Sequence, residues 1–151
     1  MTLEIRPIEA RDAAAWRALF GAYGTFYETT FSDDVLDRVW PQLIADDSGI
    51  DALVAADTDD GERLVGFAHY RSHPDTFSGH RDWYLDDLYV DPAARGGGIA
   101  TALITRIAEI ARATSPGGVL RWITAADNAR AQRVYDRIAA RTSWLTYEVR
   151  L

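Results

Sequence analysis

The chain contains no cysteine. Disulfides, thiolate zinc sites, iron–sulfur clusters and cysteine nucleophiles are therefore excluded. Lysine is missing too, and all 16 basic residues are arginine. A phosphate loop built on Gly-Lys-Ser or Gly-Lys-Thr cannot exist here, nor can a lysine Schiff base. No apolar run approaches the roughly 18–20 residues a membrane helix needs, so no membrane partner is expected. The opening Met1-Thr2-Leu3-Glu4-Ile5-Arg6 is not a basic region followed by an apolar stretch, which predicts no secretory signal and a cytoplasmic protein. There is no His-Glu-x-x-His or Gly-x-Ser-x-Gly pattern. His69 and His73 are four apart, but on a strand or its end, and His80 stands in a loop; no metal is expected.

What remains is an ordinary globular composition: 151 residues, 48% hydrophobic and 26% charged. That is too apolar for disorder and enough for one domain over residues 1–151. The net charge of −7 argues against a nucleic-acid partner. It favours a cationic small molecule mildly, and solubility is the plainer explanation.

Periodicity lays out the elements. Thr2–Pro7 alternates as a strand. Arg11–Glu28 reads as a helix weakened by Gly21 and Gly24. Ser32-Asp33-Asp34 starts a second helix running to about Asp46, with Pro41 as a kink or break. Strands follow at Asp51–Asp57 and Glu62–Ser72, joined by the turn Thr58-Asp59-Asp60-Gly61, and then at Trp83–Val90. Gly97–Ala113 is strongly amphipathic through Ile99, Leu103, Ile107 and Ile110. Val119–Thr124 is a strand, Asp127 or Asn128 caps a fourth helix to about Ala140, and Ser143–Leu151 closes as a strand. The class is α/β (α+β), a mixed sheet with helices on it.

The informative segment runs from Leu88 to Thr101. A strand ends, three consecutive glycines follow, and a long helix opens at once. Glycines free the backbone and uncover its N–H groups, and a helix N-terminus favours an anion, so this is the physics of a phosphate cradle. A glycine-rich connector explains the same three residues. The dinucleotide pattern GxGxxG fails, because the position five after Gly96 is Thr101.

Arg95-Gly96-Gly97-Gly98-Ile99-Ala100 fits another spelling: Arg or Gln, two variable positions, Gly, one variable position, then Gly or Ala. Val90-Asp91-Pro92 precedes it, and Asn128-Ala129-Arg130-Ala131-Gln132-Arg133-Val134-Tyr135 supplies N-x-x-A-x-x-x-Y further on. With both motifs in order, the chain resembles the GNAT superfamily of acetyl-CoA-dependent N-acetyltransferases. The resemblance implies the GNAT fold: a central, mixed, mostly antiparallel twisted sheet of six to seven strands flanked by about four helices. It implies acetyl-CoA as cosubstrate. Its pyrophosphate would lie on the backbone amides of Arg95, Gly96, Gly97, Gly98, Ile99, Ala100 and Thr101. Leu88, Tyr89 and Val90 would pair with the pantetheine arm as if it were a strand, one of their N–H groups holding the oxyanion. Asn128 and Ala131 would flank the arm, and Tyr135 would be the general acid for the thiolate; without the resemblance, a core tyrosine is the plainer reading of Tyr135. Two departures stand out. Gly97 occupies a position that is often long and basic in relatives, which leaves less charge near the phosphates. Ala139-Ala140-Arg141-Thr142 stands where many relatives have Gly-Phe, so the path of the last strands is not carried over.

Acyl transfer needs a neutral amine, and deprotonating an alkylamine of pKa near ~10.4 at pH 7 costs about 4–5 kcal/mol. Asp86 and Asp87 sit inside an otherwise apolar strand, which suggests a polar cleft. Strict alternation sends them to opposite faces, so one of them reaches the substrate. The segment is similar to the Leu-acid-Asp-Leu-Tyr-Val spelling of polyamine-type members, which favours Asp86 as the water-mediated base; an ion pair with an arginine accounts for either acid. A looser similarity to histone-acetyltransferase-like bacterial members leaves a protein amine open. Tyr23, Tyr27 and Trp83 are candidates for the acceptor side, as are Phe31 and Trp40, although such aromatics are commonly core. The expected reaction is direct transfer to a small primary amine in a ternary complex. A non-catalytic CoA sensor, or a module working through a protein partner, is the alternative. Homodimerisation through the final strand is implied by the family and left open by the residues.

Overall fold

The computed structural model describes all 151 residues. Strand β1 (Leu3–Pro7) leads into α1 (Ala13–Phe26) and α2 (Asp33–Ile44). Strands β2 (Asp51–Asp57), β3 (Arg63–Pro74) and β4 (Arg81–Val90) follow. Helix α3 (Ile99–Thr114), strand β5 (Leu120–Arg121) and helix α4 (Ala129–Tyr135) complete the set. The sheet order is β1-β2-β3-β4-β5, antiparallel except for the parallel β4–β5 pair.

The sheet is buried on both faces, and strand alternation splits its side chains into two cores. Leu53, Val65, Ala68, Leu85 and Trp83 meet the α3 stripe of Ile99, Leu103, Ile104 and Ile107. Val54, Leu64, Phe67 and Tyr89 meet Trp16 and Phe20 of α1 and Leu36 and Leu43 of α2. The packing makes three layers. It also explains why the helix-breakers in α1 and α2 do not break them. Gly24 is a contact point: a Cβ there would lie 2.8 Å from the Phe31 ring and 2.9 Å from the Thr29 carbonyl. Pro41 sits inside α2, which Ser32 caps and whose buried Leu36 and Leu43, seven apart, hold one face on the sheet.

Two buried carboxylates tie the frame. Arg6 grips Asp12 through two hydrogen bonds of 2.7 and 2.9 Å. Asp82 accepts from the Val119 N–H at 3.0 Å and pairs with Arg121, stapling the start of β4 to β5. At that seam Gly118 is obligatory, since a Cβ would fall 1.8 Å from the Arg81 carbonyl oxygen.

The sheet has five strands where six to seven are expected. The expected strand over Val119–Thr124 is paired only at Leu120–Arg121, and the fourth helix stops at Tyr135. Ser143–Leu151 carries a strand's alternation but has no neighbouring strand; Trp144 and Tyr147 are 82% and 87% exposed. A strand needs a ladder partner, and this segment finds none within its own chain. This unpaired segment begins just after Ala139-Ala140-Arg141-Thr142, the stretch that departs from the family spelling.

Candidate active site

β4 and β5 touch only at Trp83–Leu120 and Tyr84–Arg121, then diverge. Beyond that point β4 has an open edge. The Asp91 N–H donates to the Val65 carbonyl on β3. Antiparallel alternation therefore turns the N–H and C=O groups of Leu88 and Val90 away from β3, toward the gap. Arg95 Nε fills one of these positions, donating to the Val90 carbonyl at 3.0 Å.

At the top of this edge the glycine run turns into α3. Gly96 and Gly98 have φ of +96° and +78°, the left-handed region, while Gly97 does not. Gly98 is the N-cap of α3 and supplies no side-chain cap. The N–H groups of Gly96 through Thr101 consequently make no hydrogen bond inside the chain. Six uncovered donors at the positive end of a 16-residue helix form an anion cradle.

The gap and the cradle open into one cavity of about 520 Å³, within the usual range of small-molecule sites, roughly 300–1,000 Å³. Leu88, Tyr89, Val90, Arg95, Gly96, Gly98, Ile99, Ala100 and Thr101 line one side, and Asn128, Ala131 and Tyr135 the other. Gly97 does not line it. Asn128 Oδ1 accepts from the Ala131 N–H at 3.2 Å and so serves as the α4 cap. Arg130, Arg133 and Arg137 also border the cavity. Arg130 and Arg133 share one face of α4 and Arg137 follows in the turn beyond it, a 3- and 4-residue spacing visible in the sequence.

The far end is a cluster of phenols. Tyr23 and Tyr27 line the cavity with their rings 5.0 Å apart, and Tyr135 faces them from α4, its ring 5.4 Å from Trp122. Burial, and then the proximity of Tyr27, push the Tyr135 phenol above the ordinary tyrosine value. Tyr23 is pushed up more strongly, by burial first and then by the Asp87 carboxylate its hydroxyl faces.

Strict alternation fails at the two acids. His69 pairs with Asp87 but Tyr70 pairs with Leu85, so Asp86 is the extra residue of a β-bulge. Asp87 Oδ2 lies 2.9 Å from His69 Nδ1, and Asp86 accepts from Arg71 Nε at 3.0 and 3.1 Å. His69 and Arg71 are two apart on β3, on one face, so the bulge brings both acids to that same face. Asp86 is tied up near the exposed end; Asp87 lies behind Tyr23. Trp83 lies elsewhere, buried against Tyr70 in the α3-side core, and Phe31 and Trp40 are packed on Phe20 and Trp16.

The chain as a whole is similar to known proteins. The model of the Acetyltransferase (GNAT) family matches residues 16–139. The D-amino-acid N-acetyltransferase HPA3 of Saccharomyces cerevisiae is 30% identical over 145 residues, 95% of this chain and 88% of the relative. A ribosomal-protein-alanine N-acetyltransferase from Brucella melitensis is 28% identical, with a TM-score of 0.80 over 100% of both chains. At 18% identity, the AAC(6')-Iy structure bound to a CoA-S-monomethyl-acetylneamine bisubstrate analog shares the fold, with a TM-score of 0.82 over 100% of this chain and 99% of that one.

Proposed function

The chain belongs to the GNAT family and is an acetyl-CoA-dependent N-acetyltransferase, and we propose that its acceptor is a small primary amine that attacks the acetyl thioester directly in the cleft between β4 and α4. One observation carries this reading: the uncovered N–H groups of Gly96 through Thr101 run straight into the open Leu88–Val90 edge. That donor set suits an anionic head with an extended arm, which is the shape of acetyl-CoA. Arg130 and Arg133 on the facing helix, and Arg137 in the turn just past it, supply the positive charge that Gly97 does not.

In the proposed reaction the amine nitrogen bonds to the acetyl carbonyl carbon and the carbon–sulfur bond breaks. The amine proton passes through water to Asp87, which we assign as base in place of Asp86 because Arg71 occupies both Asp86 oxygens. A Leu88 or Val90 N–H takes the oxyanion. Tyr135, whose raised value keeps it protonated at neutral pH, gives its proton to the departing thiolate. Tyr23 and Tyr27 form the wall beside the amine. The relative that acts on D-amino acids puts amino acids first among the acceptors to try, with polyamines and aminoglycosides after them. The absence of cysteine agrees with a cytoplasmic location and with transfer that passes through no cysteinyl intermediate.

We also infer self-association. In Ser143–Leu151, Leu145, Tyr147, Val149 and Leu151 alternate with Trp144, Thr146, Glu148 and Arg150, and the outer edge of β5 is unpaired. A second copy's final segment is a natural occupant of that edge.

The test is release of free thiol from acetyl-CoA across an amine panel, with Tyr135→Phe beside wild type. Turnover on one amine class that drops at least about tenfold in the variant supports the reading. Tight acetyl-CoA binding with no turnover on any amine would favour a CoA-binding sensor instead.

A further inference from the structure

We propose that His69 is a positioning residue, held in its Nδ1–H form by Trp16 and used to fix the Asp87 carboxylate. The inference deepens the acetyltransferase reading and rests on it for the role of Asp87. The hydrogen-bond geometry stands on its own.

Trp16 Nε1 lies 2.9 Å from His69 Nε2, and His69 Nδ1 lies 2.9 Å from Asp87 Oδ2. Trp16 and His69 are each 1% exposed. An indole N–H donates only, so His69 Nε2 must present its lone pair. The one proton of a neutral imidazole then sits on Nδ1 and donates to the carboxylate. Nothing else reaches the imidazole: the surroundings are the rings of Phe20 and Phe67, 5.1 and 4.7 Å away between centroids. His69 is thus a fixed donor with both nitrogens committed. Asp87 accepts this bond on Oδ2, which leaves Oδ1, on a carboxylate that the Tyr23 hydroxyl also faces, as the oxygen to receive a proton.

The lock also couples the site to α1. Trp16, Phe20 and Tyr23 follow 4- and 3-residue spacing, so one helix face carries the indole that sets the tautomer and the phenol that faces Asp87. Removing the outer partner that orients a metal-bound side chain costs roughly 10–100-fold, and orienting a base is expected to be worth a similar order.

Two variants separate positioning from packing. His69→Gln can still accept from Trp16 but loses the donor at Nδ1. His69→Asn keeps a donor near Nδ1 and loses the acceptor. We expect kcat to fall roughly tenfold or more in His69→Gln and by only about threefold in His69→Asn, with KM for acetyl-CoA little changed in both. A merely structural histidine would make the two fall together, in step with their melting temperatures, and that result overturns the proposal. A second measurement needs neither turnover nor a variant: two-bond proton–nitrogen NMR of the wild-type imidazole. An Nδ1-protonated, Nε2-bare ring supports the lock even if no amine is acetylated, in which case the acetyltransfer reading alone fails. An Nε2-protonated ring overturns the lock whatever the activity.

Discussion

Arg71 Nε bridges the two carboxylate oxygens of Asp86 at 3.0 and 3.1 Å, two residues along β3 from the histidine that holds Asp87. Neighbouring acids on one strand thereby acquire different partners and different work. Asp86→Asn should change kcat/KM by no more than about twofold and stability by under about 1 kcal/mol, as for other exposed ion pairs. Asp87→Asn should lower kcat by about 100-fold or more. Steady-state thiol release with both variants checks this; a larger loss in Asp86→Asn than in Asp87→Asn would return the base to Asp86.

Tyr135→Phe removes the proposed acid and leaves the ring against Trp122. kcat should drop at least about tenfold while the Kd for acetyl-CoA, read by calorimetry, stays within about threefold. Because Tyr135 titrates above the ordinary tyrosine value, its protonated form persists through neutral pH. Wild-type kcat should therefore show no loss from this group until pH rises past the usual phenol range.

The glycines of the cradle are not equivalent. Gly98 has φ of +78°, which a side chain strains, so Gly98→Ala should cost about 1–2 kcal/mol and weaken acetyl-CoA binding. At Gly97 φ is ordinary, and a Cβ would meet only the Ala94 carbonyl at 3.8 Å. Gly97→Arg should fold normally and tighten acetyl-CoA binding several-fold at low salt, an advantage that shrinks as salt rises. Calorimetry at two ionic strengths distinguishes the cases.

Arg6 and Asp12 make the buried pair that anchors β1. Burial alone would raise Asp12, but the hydrogen bonds from Arg6 and from the Glu9 N–H outweigh it and hold the carboxyl below its usual value. A lowered carboxyl contributes stability above its unfolded value and loses it as pH falls through the folded one. Arg6→Met, which strands the charge on Asp12, should cost about 3–5 kcal/mol at pH 7. Denaturant melts should show the gap to wild type narrowing as pH drops below the ordinary carboxylate range.

Removing Ser143–Leu151 should convert a dimer to a monomer in sedimentation velocity. A wild-type chain that is monomeric at tens of micromolar would remove the strand-pairing proposal.

Local chemistry was legible in the amino-acid sequence. The glycine run, the Asn128–Tyr135 pattern and the α3 stripe are contiguous signals, set by neighbours a few residues apart. They gave the family, and the residues they single out line one cavity. What tertiary structure decided depends on contacts between distant residues. The bulge at Asp86 arises from how β3 and β4 register, and it overrode the alternation that would have parted the two acids. The tautomer of His69 is set by an indole 53 residues earlier, on a helix whose stripe reads simply as core. Gly24 holds α1 and the Phe31 segment together because of what it touches, not because of its propensity. The final segment has every local feature of a strand, yet pairing is a property of two strands, and no strand of this chain lies beside it.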